Sequence, residues 1–166
     1  MNPFRNAVVS LFALFLLAVV VHGIQEPKTG IDFPAKYEKA SLSKLGVRTK
    51  GPIKVYAVGQ YGETFLLKMN MKVGAEKMAS ALGDALEPRC KDGACIDEFK
   101  SIMTKGLPKG CAKGMSLAFL TKGGKVAIKA NNKSIGAVSS KPLAKAFQGI
   151  YTDKKAVCKM NPVDCS

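Results

Sequence analysis

Histidine is nearly missing from this chain. The single copy, His22, ends an apolar N-terminal run that is expected to be removed, so the mature domain should carry none. That excludes Ser-His-Asp and Cys-His catalysis, which both need an imidazole as base. Acid is scarce too, with 12 Asp and Glu against 26 Lys and Arg. General acid–base work would fall to carboxylates, lysines or tyrosines. The five cysteines contain no CxxC pair, which together with the missing histidine removes the usual zinc ligand sets. No metal or other cofactor is expected. An aromatic–basic RNA motif and zinc-finger spacing are also lacking, and the lysines are spread from Lys28 to Lys159 instead of forming one run. A formal charge of +14 can signal nucleic acid, an anionic membrane or plain solubility. In this pattern it reads as a solvated lysine-rich surface, with no nucleic-acid partner.

The N-terminus has the three-part grammar of a secretory signal peptide. "MNPFR" carries one positive charge, "AVVSLFALFLLAVVV" is an uninterrupted apolar or small run, and Val21 and Gly23 place small residues at a cleavage site. The run from Ala7 to Val21 is short for spanning, which takes about 18–20 apolar residues. The expected organisation is a signal peptide over 1–23, an N-terminal arm over 24–32, one domain over 33–157 and a tail over 158–166. The destination is the secretory pathway: the ER lumen, the cell exterior, or an organelle reached through the ER. The mature domain is expected to be a monomer without membrane contact. In an oxidising compartment disulfides are expected. "CKDGAC" and "CKMNPVDC" are each short enough to close locally, as Cys90–Cys95 and Cys158–Cys165, which would leave Cys111 alone. Spacing does not decide the pairing. "NKS" at Asn132 to Ser134 fits the N-glycosylation pattern in a predicted turn.

Along the mature chain, Ile53, Val55, Ala57 and Gly59 alternate with Lys54, Tyr56, Val58 and Gln60, the period of a strand. Both sets are fairly apolar, so this strand should be central in its sheet. "TFLLKMNMKV" reads as the next strand. The period then changes. "GAEKMASALGDALEPR" puts Met78, Ala81, Leu82, Ala85 and Leu86 on one helical face and stops at Pro88. "CIDEFKSIMTKGL" is a second helix, with Ile96, Phe99, Ile102 and Met103 inward. Three strands follow, joined by Gly-Gly and Asn-Asn turns. "SSKPLAKAFQGIY" closes as a helix capped by Ser139 or Ser140. Strands, two helices, strands and a helix argue α+β, an antiparallel sheet covered by helices on one face.

The order and spacing of three stretches resemble chalcone isomerase-like domains. They are "LGVRTKGPIKVYAVGQYGE", "VGAEKMASALGDAL" and "GGKVAIKANNKSIGAVSSKPLAKAFQGIYTDKKAV", and the resemblance covers Phe33 to Val157. It implies an open-faced β-sandwich enclosing a ligand cleft. Plant members of that family isomerise chalcones by intramolecular cyclisation, related members bind fatty acids without catalysis, and others are non-catalytic helpers. Arg48 matches the family's arginine, which steadies a phenolate in the enzymes and pairs with a carboxylate in the binders. Tyr56 falls where the enzymes place a threonine, Lys77 where they place a tyrosine, and Asp84 where they place an asparagine. Ile150 and Tyr151 occupy the substrate-contacting pair that is polar then apolar in the enzymes. One residue of the catalytic set is kept and the rest are replaced.

The resemblance therefore points to binding of a small apolar anion, such as a fatty acid, through Arg48, Tyr56, Lys77, Asp84, Ile150 and Tyr151. A planar cation in a low-dielectric cleft suits an oxyanion. Tyr56 and Tyr61 fall on opposite faces by parity, so one of them shares Arg48's side. Met69, Met71, Met78, Leu82, Phe99, Ile102, Met103, Phe147 and Ile150 would line an acyl cavity or form ordinary core. Two other readings stand beside this one. Arg48 would be the catalytic residue of an intramolecular lyase acting on a phenolic substrate, or a surface arginine of a structural, partner-binding domain with a filled core.

Overall fold

The computed structural model describes residues 23–164. The segment read as a signal peptide lies outside them except for Gly23, and so does Cys165. Two short hairpins come first: β1 (Ile24–Gln25) with β2 (Asp32–Phe33), then β3 (Lys36–Tyr37) with β4 (Ala40–Ser41). A meander follows of β5 (Lys44–Lys50), β6 (Ile53–Tyr61) and β7 (Thr64–Met69). Helices α1 (Ala75–Leu86) and α2 (Gly93–Gly106) interrupt it. The meander resumes with β8 (Ser116–Leu120), β9 (Val126–Ala130) and β10 (Lys133–Val138). Helix α3 (Lys141–Thr152) and a last strand, β11 (Met160–Pro162), follow. The large sheet runs β10-β9-β8-β7-β6-β5-β11, with every neighbouring pair antiparallel. This is the α+β order of the sequence pattern: period-2 stretches pair as neighbours, and period-3.6 stretches bury their stripes on the sheet.

Local chemistry sets the boundaries. The Ser140 side chain caps α3 by accepting from the Leu143 N–H, and Pro142 occupies the first turn, where a missing N–H costs nothing. Asp92 caps α2 by accepting from the Cys95 N–H. Helix α1 ends just before Pro88, which has no N–H to continue the ladder, while Glu87 keeps helical dihedrals and donates to the Gly83 carbonyl. The β9–β10 turn is made by Asn131 and Asn132 at φ 46° and 65°, conformations asparagine tolerates better than most side chains.

The main core lies between the sheet and the three helices. Phe119 stacks on Phe147 at 4.6 Å and Phe65 on Tyr151 at 5.2 Å between ring centroids. The opposite face is covered as well: Phe33 and Leu42 from the N-terminal hairpins pack on Leu45, Ala57, Tyr61 and Leu66. Gly59 permits that approach, because a Cβ there would stand 2.8 Å from the Phe33 ring.

Four details depart from the sequence reading. The segment read as a tail supplies β11, which pairs with β5 through Met160↔Gly46, Asn161↔Leu45 and Pro162↔Lys44. It fits because Gly46 has no side chain; a Cβ would meet the Lys159 carbonyl at 2.8 Å. The segment read as an arm holds β1, paired to β2. Cys90 and Cys95 are unbonded, since "CKDGAC" does not close on itself but turns into α2. Cys90 is buried in the core, and the Cys95 thiol donates to Asp92 at 3.0 Å. Finally, β6 does not alternate strictly. Arg48 pairs with Tyr56 but Thr49 with Lys54, so Val55 is an extra residue in a bulge.

Candidate functional site: a basic cleft beside Arg48

The turn at Gly51 (φ 57°) folds β5 onto β6 and sets Arg48 across from Tyr56. Between this end of the sheet and α1 opens a cleft of about 570 Å³, within the usual range of small-molecule sites (about 300–1,000 Å³). The strands contribute Arg48, Lys50, Ile53, Val55 and Tyr56, and the segment after β7 adds Met71, Lys72 and Val73. Helix α1 contributes Lys77, Met78, Ala81, Leu82, Asp84 and Ala85, positions three or four residues apart that share one side. Ile150 and Val157 close the remaining wall. The bulge brings Val55 to the same cleft as Tyr56, although strict alternation would separate them.

Arg48 is half-buried. It donates from Nη1 to the Val157 carbonyl at 2.7 Å. Among the described residues this is its one hydrogen bond, out of five N–H donors. The loop that carries Val157 is itself fixed. Arg89 grips both Asp153 oxygens at 2.8 and 3.0 Å and donates to the Lys155 and Ala85 carbonyls at 2.7 and 2.6 Å. The same guanidinium holds the Asp153 carboxyl below its ordinary range. Arg48 is thus an anchored cation with donors to spare.

Tyr56 is buried, and its hydroxyl meets that of Tyr151 at 3.1 Å. Burial pushes the Tyr56 phenol up to about 12, against the opposing pull of the Tyr151 hydrogen bond. Burial, with Tyr56 beside it, drives Tyr151 further the same way. Cys158 also lies close to Arg48; burial raises its thiol to about 11 while the guanidinium works in the other direction. These three groups are therefore neutral near pH 7. A cleft built this way offers an anion a cation and the neutral Tyr56 phenol; Asp84 is the sole carboxylate among its lining residues, and it is exposed at the rim.

Of the residues singled out from sequence, Arg48, Tyr56, Lys77, Asp84 and Ile150 meet at this cleft, with Lys77 exposed like Asp84. Tyr151 does not line it; the residue lies behind Tyr56, stacked on Phe65. Met71, Met78 and Leu82 line the cleft, the last two from the edge of the packed core, whereas Met69, Phe99, Met103 and Phe147 belong to the core alone. Ile102 packs under Gly136 of β10 instead. Tyr61 is on the opposite sheet face, donating to the Pro34 carbonyl at 2.7 Å. Lys50, Ile53, Val55 and Lys72 were not singled out. Lysines are too common here for one to stand out, and the bulge overrides the parity argument for Val55. Asn132 is exposed in its turn, its Oδ1 accepting from the Tyr37 hydroxyl at 3.0 Å. Cys158's expected partner, Cys165, lies outside the described residues.

No protein-family model matches this chain, and no curated protein matches it in sequence. In three dimensions it is similar to the crystal structure of the Arabidopsis thaliana fatty-acid binding protein AtFAP1. The TM-score is 0.74 at 18% identity, over 82% of this chain and 92% of that one. A likeness at that identity speaks to architecture: the chain has the chalcone isomerase-like fold, a large antiparallel sheet with three helices.

Proposed function

We propose that this domain is a non-catalytic binder of a small apolar anion, with a fatty acid as the ligand class that fits best and Arg48 as its anchor. The observation that carries the reading is the half-buried Arg48 guanidinium, held by a single carbonyl in a cleft whose apolar wall includes Val55, Met71, Met78, Leu82 and Ile150. The acyl chain would contribute about 0.8 kcal/mol per CH₂ buried, and the guanidinium would select for the carboxylate. The shared fold adds support, since AtFAP1 is a fatty-acid binding protein by name. Tyr56, Lys77 and Asp84, standing where the enzymes place a threonine, a tyrosine and an asparagine, weigh against isomerase chemistry. Residues 1–23 would deliver the domain to the secretory pathway, and the N-terminal sequence of the protein released by a secreting host tests that.

Native mass spectrometry with lipid extraction, on wild type and Arg48→Ala, tests the binding. A fatty acid that accompanies the wild type and is lost from the variant is the expected result. If both are empty and neither takes up added laurate, the reading fails and Arg48 is structural.

A further inference from the structure

We propose that the mouth of this cleft docks on the surface of an anionic lipid bilayer, where the ligand enters or leaves. The inference rests on the binding reading above and revises the expectation of no membrane contact. Two large apolar side chains stand exposed among the described residues, Ile53 at 51% and Met71 at 36%, and both line the cleft. They are neighbours: Asn70, next to Met71, donates its backbone N–H to Val55 and its side chain to the Lys54 carbonyl, each at 2.9 Å. Around them lie Lys50, which pairs directly across from Ile53, together with Lys72 and Lys77. Among the described residues Lys50, Lys72 and Lys77 enter no ion pair.

An apolar pair ringed by lysines suits a bilayer interface. Apolar groups insert at the headgroup boundary, while lysines bury their stems and keep their charges among anionic headgroups. An acidic protein face would satisfy the lysines alone. A bilayer also matches the apolar pair and holds the ligand, because fatty acids partition into lipid. A cleft opening at that surface receives its acyl chain without exposing it to water.

The test uses protein expressed with its own leader in a secreting host and purified as that host releases it. Co-sedimentation is measured with vesicles of phosphatidylcholine alone and of phosphatidylcholine mixed with anionic phosphatidylglycerol. Binding should require the anionic lipid and weaken with salt. A lysine near such a surface contributes about fivefold, so Lys50→Glu with Lys72→Glu should weaken binding by about 25-fold or more. Ile53→Ser with Met71→Ser should cost about tenfold. Lys122→Glu with Lys125→Glu changes the net charge equally at the far end of the sheet, beyond Leu120, and should cost little. Equal losses in that control, or unaltered binding in the first two variants, overturn the proposal. So does a wild type that ignores anionic vesicles, which would leave the mouth to an acidic protein face. Laurate uptake from vesicle-free solution is read separately in each protein. Uptake without docking refutes the docking alone, and docking without uptake refutes the binding reading.

Discussion

Replacing Arg48 by alanine should separate charge recognition from chain burial. Hydrogen bonds to a charged partner contribute about 1.5–3 kcal/mol each. Arg48 is half-buried in an open cleft, so solvent screening places its carboxylate contact at the lower end, about 1.5–2 kcal/mol, or roughly a 10–30-fold rise in Kd for laurate. Dodecanol, which has a similar chain and no charge, should bind wild type and variant nearly alike. Chain length gives an internal check: two methylenes are worth about 1.6 kcal/mol, so the preference for laurate over decanoate, about 15-fold, should survive the substitution. The variant also strips the Val157 carbonyl of its donor, a stability loss of about 1 kcal/mol that thermal melting would register. Isothermal titration of laurate, decanoate and dodecanol decides the matter. Equal weakening of laurate and dodecanol would refute the anchor, because it would mean the cleft had collapsed instead of losing a charge.

Phe147→Ala should destabilise the fold by about 3–5 kcal/mol in urea unfolding, since Phe147 is fully buried and meets Phe65, Phe99, Phe119 and Tyr151. Alkali should weaken the fold in a defined window. With the Tyr56 pKa raised from 10.0 to about 12, the folded state holds that proton more tightly than the unfolded chain. Its stabilising share is complete below pH 10 and is lost as pH climbs through about 12, a loss of about 3 kcal/mol. Tyr61 and Tyr151 are shifted the same way, so denaturation midpoints taken between pH 9 and 12 should fall steeply, and a flat profile would contradict their burial. Gly46→Val should detach β11, because the new Cβ would run into Met160 and the Lys159 carbonyl. Faster amide exchange confined to residues 158–163 and β5 is the expected signature, and unaltered protection there would show that the edge can adapt.

The parts of this molecule legible in sequence are those fixed by neighbours along the chain. The strand period from Tyr56 to Gln60, the Ser140 cap and the Asn131–Asn132 turn each follow from a few consecutive residues, and the α+β order follows from their succession. Arg48 was set with Tyr56 through the resemblance to chalcone isomerase-like domains, and the β5–β6 hairpin pairs the two directly. What escaped reading depends on contacts between distant segments. The pairing of β11 with β5 turns on Gly46 accepting residues more than a hundred positions away. The Val55 bulge exists only in relation to β5, and it sends one more apolar side chain into the cleft. The methionines divide between cavity and core, Met71 in the cleft, Met69 and Met103 in the core and Met78 in both, and composition cannot see that division because both environments reward the same side chain. The cleft's basic rim was hidden for the opposite reason. In a lysine-rich chain Lys50 and Lys72 look like any solvated lysine until the fold sets them beside exposed Ile53 and Met71, and it is that adjacency, not the charge itself, that gives the rim a direction to face.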